Sequence, residues 1–384
     1  MVAQPIIYED FLPVSAAGIF QSNLGNETQA RSHGNASREA FEAALGCPVQ
    51  DDLNYTDRRR TQQTTLRSAV NQYPAGISLT GSRLCNIRRN RWRKPVRERL
   101  AGSAEQGIHI WRGHSVRRAA RGPAALARAA ASRPLAGVRP AETFSAASWQ
   151  DIDYCRELGG GDPGAFSEDC LYLNVWAPAS AAQPQPLPVM VAAWRRVYHR
   201  RRQPAALRWQ SAASRDVVVV TVNYRLGHLG FFAHPALEEE AGERLYNFAL
   251  LDQIAALQWV QENIHAFGGD AANVTLFGES AGARSVLSLM ASPKAKGLFH
   301  KAIIQSGYTL PDLPREKALE KGRCWRNTSP YRQASAEELR AIPAEAFWSL
   351  TAPLNTGPAP IAGDAVLPQP MLETFFAGRQ IRYR

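Results

Sequence analysis

The stretch "VTLFGESAGARS", Val274 to Ser285, sets a serine between two glycines where one sequence pattern gives way to another. Ahead of Ser280 run apolar and β-branched residues suited to a buried strand, and behind it the texture turns helical. A Gly-x-Ser-x-Gly turn between strand and helix is the layout of a nucleophile elbow, which presents a serine hydroxyl on a strained backbone. Serine alone is a weak nucleophile and needs a base beside it and donors for the oxyanion it creates. The chemistry implied is acyl transfer, with Ser280 attacking. A helix starting near Ala281 would aim its N-terminal N–H groups and positive dipole end at the developing charge. Gly278 and Gly282 stand where such a turn brings backbone close to backbone. The competing reading of Ser280 is an ordinary helix N-cap.

An elbow needs a sheet to stand on. "SEDCLYLNVWAP" (Ser167–Pro178) alternates apolar and polar residues and ends at proline, a strand signal. "LPVMVA" (Leu187–Ala192) and "DVVVVTVNYR" (Asp216–Arg225) are continuous apolar runs, as expected of strands covered on both faces. "NFALLDQIAALQWVQENIHAF" is apolar at Phe248, Leu251, Ile254, Leu257 and Ile264, a stripe with the helical period. "KAIIQSG" (Lys301–Gly307) reads as a further short strand. Strand, helix, strand, helix, strand predicts an α/β fold with a doubly wound, mostly parallel sheet.

The formal net charge of +11 raises nucleic-acid binding as a class, but its distribution argues against it. Residues 83–140 carry 15 Arg/Lys against two Glu, and residues 195–208 carry six Arg and no acid, so the remainder is net −8. The basicity belongs to two patches, which lack the interleaved aromatic and glycine pattern of an RNA-binding strand. No run of 18 apolar residues exists, so no membrane span is expected. No basic n-region followed by an apolar core opens the chain, which places it in the cytoplasm by default, with export open if the natural N-terminus differs. None of the five cysteines forms a C-x-x-C pair, and neither metal nor cofactor is expected. Cys155 and Cys170 enclose 14 residues containing "GGGDPG", a loop that a disulfide could close, although spacing alone leaves two free thiols equally open. Residues 1–94 receive no assignment and read as poorly ordered, and residues 95–384 read as one partial catalytic domain.

Five blocks in order, "SEDCLYLNVWAP", "VVVVTVNYRLGHLGFF", "NFALLDQIAALQWVQENIHAFGGD", "NVTLFGESAGA" and "KAIIQSG", resemble the type-B carboxylesterase family of cholinesterases and para-nitrobenzyl esterases. The similarity is strong over residues 137–191, 214–321 and 334–380. It implies the α/β-hydrolase fold, incomplete at the C-terminus. It further implies Ser280 as nucleophile, the Ala281 backbone N–H as one oxyanion donor, and a small carboxylic ester as substrate. The Cys155–Cys170 loop resembles a disulfide loop of exported members. In the family the triad runs serine, acid, histidine along the chain. The eight histidines here are His33, His109, His114, His199, His228, His234, His265 and His300, the last only twenty residues past Ser280. By resemblance the acid and the histidine would both lie beyond Arg384, so neither is expected among these residues.

The second oxyanion donor should come from a "HGGG"-like loop after "PVMV", yet "AAWRRVYHRRRQPAALRWQSAA" holds no glycine. Ala193-Trp194-Arg195-Arg196, read one base later in its codons, permits His-Gly-Gly-Gly. The same shift through His114–Arg128 permits "IPYAAPPVGPLRWRA", which matches the family. Both basic patches therefore read as out-of-frame translation of an esterase gene, with "GRCWRNTSPYRQ" (Gly322–Gln333) as a third such patch. The expectation is an esterase by descent, weakly active or inactive as written, with apolar surface such as "VVVVTV" partly uncovered. Two other classes stay in view: a non-catalytic cholinesterase-like binding protein, and polyanion binding through the arginines.

Overall fold

The computed structural model describes residues 84–87, 98–117, 125–130, 137–150, 164–182, 185–193, 205–307, 312–323, 334–347 and 359–381. A small sheet comes first: β1 (Leu84–Ile87) pairs antiparallel with β2 (Glu98–Ala101), across the proposed boundary at residue 94. The main sheet begins with the hairpin β3 (Ser103–Glu105) and β4 (Ile108–Ser115), while β5 (Val138–Pro140) runs parallel to β2. Then follow β6 (Tyr172–Pro178), β7 (Leu187–Ala192), helix α1 (Ala205–Ala213), β8 (Val218–Val222) and the short helices α2 (Gly227–Gly230) and α3 (Pro235–Ala241). The long helix α4 (Phe248–Asn263) leads through a 3-10 turn, Ile264–Phe267, into β9 (Gly269–Glu279), α5 (Ala281–Ala291) and β10 (Lys301–Gln305). Helices α6 (Arg315–Arg323), α7 (Ala336–Arg340) and α8 (Met371–Phe376) complete the described elements.

The seven-stranded sheet has the order β10-β9-β7-β8-β6-β4-β3. Strands β10, β9, β7 and β8 are mutually parallel, and β6, β4 and β3 continue the sheet antiparallel. Crossover helices cover both faces, as parallel strands require. Along β8 the side chains alternate: Val219 packs with Trp176, Ala213 and the half-buried Trp209 on one face, and Val218, Val220 and Val222 join the large core on the other. All five β8 residues are buried. The expectation that "VVVVTV" would be partly uncovered therefore fails for Val218–Val222, because β8 has neighbours on both edges and helices on both faces; only Val217, ahead of the strand, is half-buried. Within the parallel part of the sheet the apolar exposure lies instead at β10, where Ile303 is 38% and Ile304 39% exposed; outside it Val138 and Phe376 are also exposed.

Helix α4 also departs from its sequence pattern. A stripe predicts one buried face, yet 13 of its 16 residues are buried. Small residues, Ala249, Ala255 and Ala256, let neighbours approach the faces that the stripe assigned to solvent. The one buried charge on it, Asp252, is matched by Arg225 just past β8, with Nη2–Oδ1 at 2.7 Å and Nε–Oδ2 at 2.8 Å. The same guanidinium donates to the Ala127 carbonyl at 2.8 Å and lies over the Phe248 ring at 5.1 Å. So part of the Arg/Ala-rich stretch is docked into the body, with Ala125, Leu126 and Ala129 buried. The segment from 359 is tied to the start of α4. Asp364 Oδ2 accepts the Tyr246 N–H at 3.1 Å, and Asn247 exchanges two hydrogen bonds with the Ile361 backbone.

Candidate active site

Strand β9 runs through the buried Val274 and Leu276 to Glu279, and α5 begins at Ala281. Ser280 is the single residue between them, at φ 53 and ψ −117. A positive φ is strained for any side chain larger than glycine's hydrogen, and such strain collects at functional sites. Two backbone hydrogen bonds hold it: the Ser280 N–H donates to the Gln305 carbonyl at 2.9 Å, and the Ser280 carbonyl accepts the Arg284 N–H at 3.0 Å. The first extends the β9–β10 pairing into the turn, and the second is the opening bond of α5. The hydroxyl makes no capping hydrogen bond to the helix. Ser280 is half-buried, while Gly278 behind it is buried.

Gly278 is required by space. A Cβ there would sit 2.4 Å from the Gly282 carbonyl carbon, 2.5 Å from its oxygen and 2.9 Å from the Ala193 carbonyl oxygen. Those are backbone atoms and cannot move aside cheaply, so strand and helix can close this tightly only on glycine. Ala281, the first residue of α5, has its N–H at the helix end where backbone donors lack intrahelical acceptors. The arrangement offers a nucleophile position and a positive dipole end on one rigid turn.

The loop expected to supply the second oxyanion donor lies outside the described residues. Ala193, just past β7, donates its N–H to the Phe277 carbonyl at 2.8 Å, and residues 194–204 follow it in the chain. Cys155 also lies outside the described residues. Its candidate partner Cys170 is buried with a free thiol, and burial pushes that thiol up to about 12. Three of the described histidines make hydrogen bonds within the fold. His114 Nε2 accepts the Trp259 indole N–H at 3.0 Å, and His234 caps α3 by accepting the Ala236 N–H. His300 directly precedes β10, exchanging hydrogen bonds with the Val274 backbone at 2.8 and 3.2 Å. His265 lies in the 3-10 turn and His228 in α2. Among the described residues no cluster of three His, Cys, Asp or Glu could hold a metal, and no helix is long and apolar enough to cross a membrane.

Sequence reading missed a second buried ion pair, Arg284 with Asp312, at 3.4 Å between Nη2 and Oδ1. A signal was available, since Arg284 interrupts an otherwise small and apolar helix, but nothing local says that residue 312 meets it.

A serine at positive φ between a parallel strand and its following helix, on this sheet order, defines an α/β-hydrolase. The profile described as Carboxylesterase family matches residues 116–368, and the chain belongs to that family. The para-nitrobenzyl esterase of Bacillus subtilis (strain 168) is 36% identical over 250 residues, 64% of this chain and 50% of that protein. Acylcarnitine hydrolase of Rattus norvegicus is 41% identical over 217 residues, 55% of this chain and 38% of that protein. A solved thermophilic PNB esterase superposes with a TM-score of 0.65 at 30% identity, covering 78% of this chain and 61% of that one. A carboxylesterase of Geobacillus stearothermophilus gives 0.61 at 32% identity, covering 77% and 60%. The chain thus spans half or less of the length of these curated relatives. A further profile, 2-oxoadipate dioxygenase/decarboxylase, matches residues 1–23, outside the described residues.

Proposed function

We propose that this chain carries the nucleophile half of a serine carboxylesterase, which cleaves small carboxylic esters through an acyl-serine intermediate. Ser280 attacks the ester carbonyl, and the Ala281 N–H stabilises the resulting oxyanion. The observation that carries this reading is the Ser280 backbone: a strained, half-buried serine whose hydroxyl does not serve the helix it precedes. An N-cap serine would use that hydroxyl as an acceptor for α5, and this one does not. No acid or histidine of the triad is assigned within these 384 residues, and removing such partners costs orders of magnitude in turnover. The isolated chain is accordingly expected to hydrolyse esters slowly. No nucleic-acid partner is assigned to the arginines.

The alternative is a non-catalytic, cholinesterase-like binding protein or the product of a decayed esterase gene, favoured by the structural employment of His114, His234 and His300. Hydrolysis of p-nitrophenyl acetate separates the readings. Ser280→Ala should reduce the rate to that of buffer with the melting temperature unchanged. A rate that survives Ser280→Ala, or a wild-type rate equal to buffer, favours the alternative.

A further inference from the structure

Arg284 sits in the first turn of α5, four residues past Ser280, and is 5% exposed. That is an unfavourable place for a cation. The N-terminal end of a helix is its positive pole, and burying a guanidinium costs free energy unless an anion and good geometry repay it. The anion is Asp312, 6% exposed, whose Oδ1 meets Arg284 Nη2 at 3.4 Å. Its other oxygen, Oδ2, accepts the N–H of Met371, the first residue of α8, at 2.5 Å. Burial raises the Asp312 carboxyl above its ordinary range, and the Met371 N–H and Arg284 pull it back toward the ionised form. At the far end of α5 the Met290 carbonyl accepts the Ile381 N–H at 2.9 Å. The helix that starts at the elbow is thereby held near both ends by groups from residues 312–381.

We propose that Asp312 is a positioning residue for Ser280, acting through Arg284; this rests on Ser280 being the nucleophile. The coupling is short. The Arg284 N–H is the bond that closes on the Ser280 carbonyl, so a shift of Arg284 moves that carbonyl and the adjacent Ala281 N–H together. Small misplacements of reacting groups carry large rate penalties. Asp312 helps to hold this buried cation in register, and through it the first turn of the nucleophile helix.

The test measures kcat and KM for p-nitrophenyl acetate, and amide exchange of the peptide 281–285, in Asp312→Asn, Arg284→Met, their double variant and Asp312→Glu. Each single neutralisation should lower kcat about tenfold with KM within about twofold, since positioning acts on the reacting state. The double variant should fall no further than the worse single, because both remove one linkage. Asp312→Glu, which retains the charge and guards against a folding defect, should recover most of kcat. Faster exchange of the Ala281–Ser285 amides should accompany the loss. Unchanged kcat, or single effects that multiply in the double variant, would overturn the proposal. If hydrolysis proves independent of Ser280, the nucleophile reading falls separately, and amide exchange decides the clamp. Protection equal to wild type in Asp312→Asn then refutes it.

Discussion

Strands β8 and β10, "VVVTV" and "KAIIQ", both contain apolar β-branched residues, and those residues meet opposite fates. Every residue of β8 is buried, whereas β10 leaves two isoleucines more than a third exposed. The polar ends of β10, Lys301 and Gln305, account for part of the difference, but its isoleucines are as apolar as the valines of β8, and for them place in the sheet order decides. β8 lies between β7 and β6 with α1 and α4 across its faces, while β10 is one of the two edge strands of the sheet among the described residues. What the pair teaches is that an apolar run declares a strand without declaring its neighbours.

The largest effect that could break this contrast is a charge placed in each strand. Val220→Asp should abolish the cooperative unfolding transition seen by circular dichroism, because an unpaired carboxylate would sit where nothing can solvate it. A folded Val220→Asp protein with a melting temperature near wild type would sink the assignment of β8 as the centre. Next comes the ion pair just past β8. Asp252→Asn leaves the Arg225 guanidinium buried against an amide, and about 3–5 kcal/mol of unfolding free energy should be lost in urea titration. At β10, Ile304→Thr should cost less than about 1 kcal/mol, since much of that side chain already meets water. A cost matching that of Asp252→Asn would mean that β10 is covered.

The smallest effect concerns pH. Glu238 is half-buried, and burial would raise its carboxyl, but hydrogen bonds from Arg315 at 2.6 Å and from the Tyr246 hydroxyl hold it below the usual carboxylate range. A depressed folded value means that the stabilisation is present at neutral pH and is lost as pH falls through that value. Glu238→Gln should lower the melting temperature by a constant amount from neutrality down to pH ~5 and flatten the acid limb below that, the two profiles converging at the acid end. An unaltered acid limb would show that this pin, which joins α3 to α6, contributes nothing measurable.

Much of the site was legible. Gly278, Ser280 and Ala281 fall where "FGESAG" puts them, because an elbow is a local object: strand, strained residue and helix start are contiguous in sequence. The strands β6, β7 and β9 were legible for the same reason. The α4 stripe misled, since periodicity reports which residues are apolar and not how many faces a helix must bury. The Arg284–Asp312 pair and the docking of Ala125–Ala129 were beyond reach, since both join residues far apart in sequence through contacts that no local pattern encodes.

The sequence by itself determined the family resemblance, the order of strands and helices, and the strand-to-helix turn that holds the proposed nucleophile. Local backbone preferences and side-chain periodicity carry that information over a dozen residues at a time. Tertiary structure alone decided that β8 is buried and β10 exposed, that α4 is covered on nearly every side, and that Asp312 meets a cation beside the proposed nucleophile. Those outcomes depend on which elements stand next to each other, and burial and ion pairing are properties of neighbours in space.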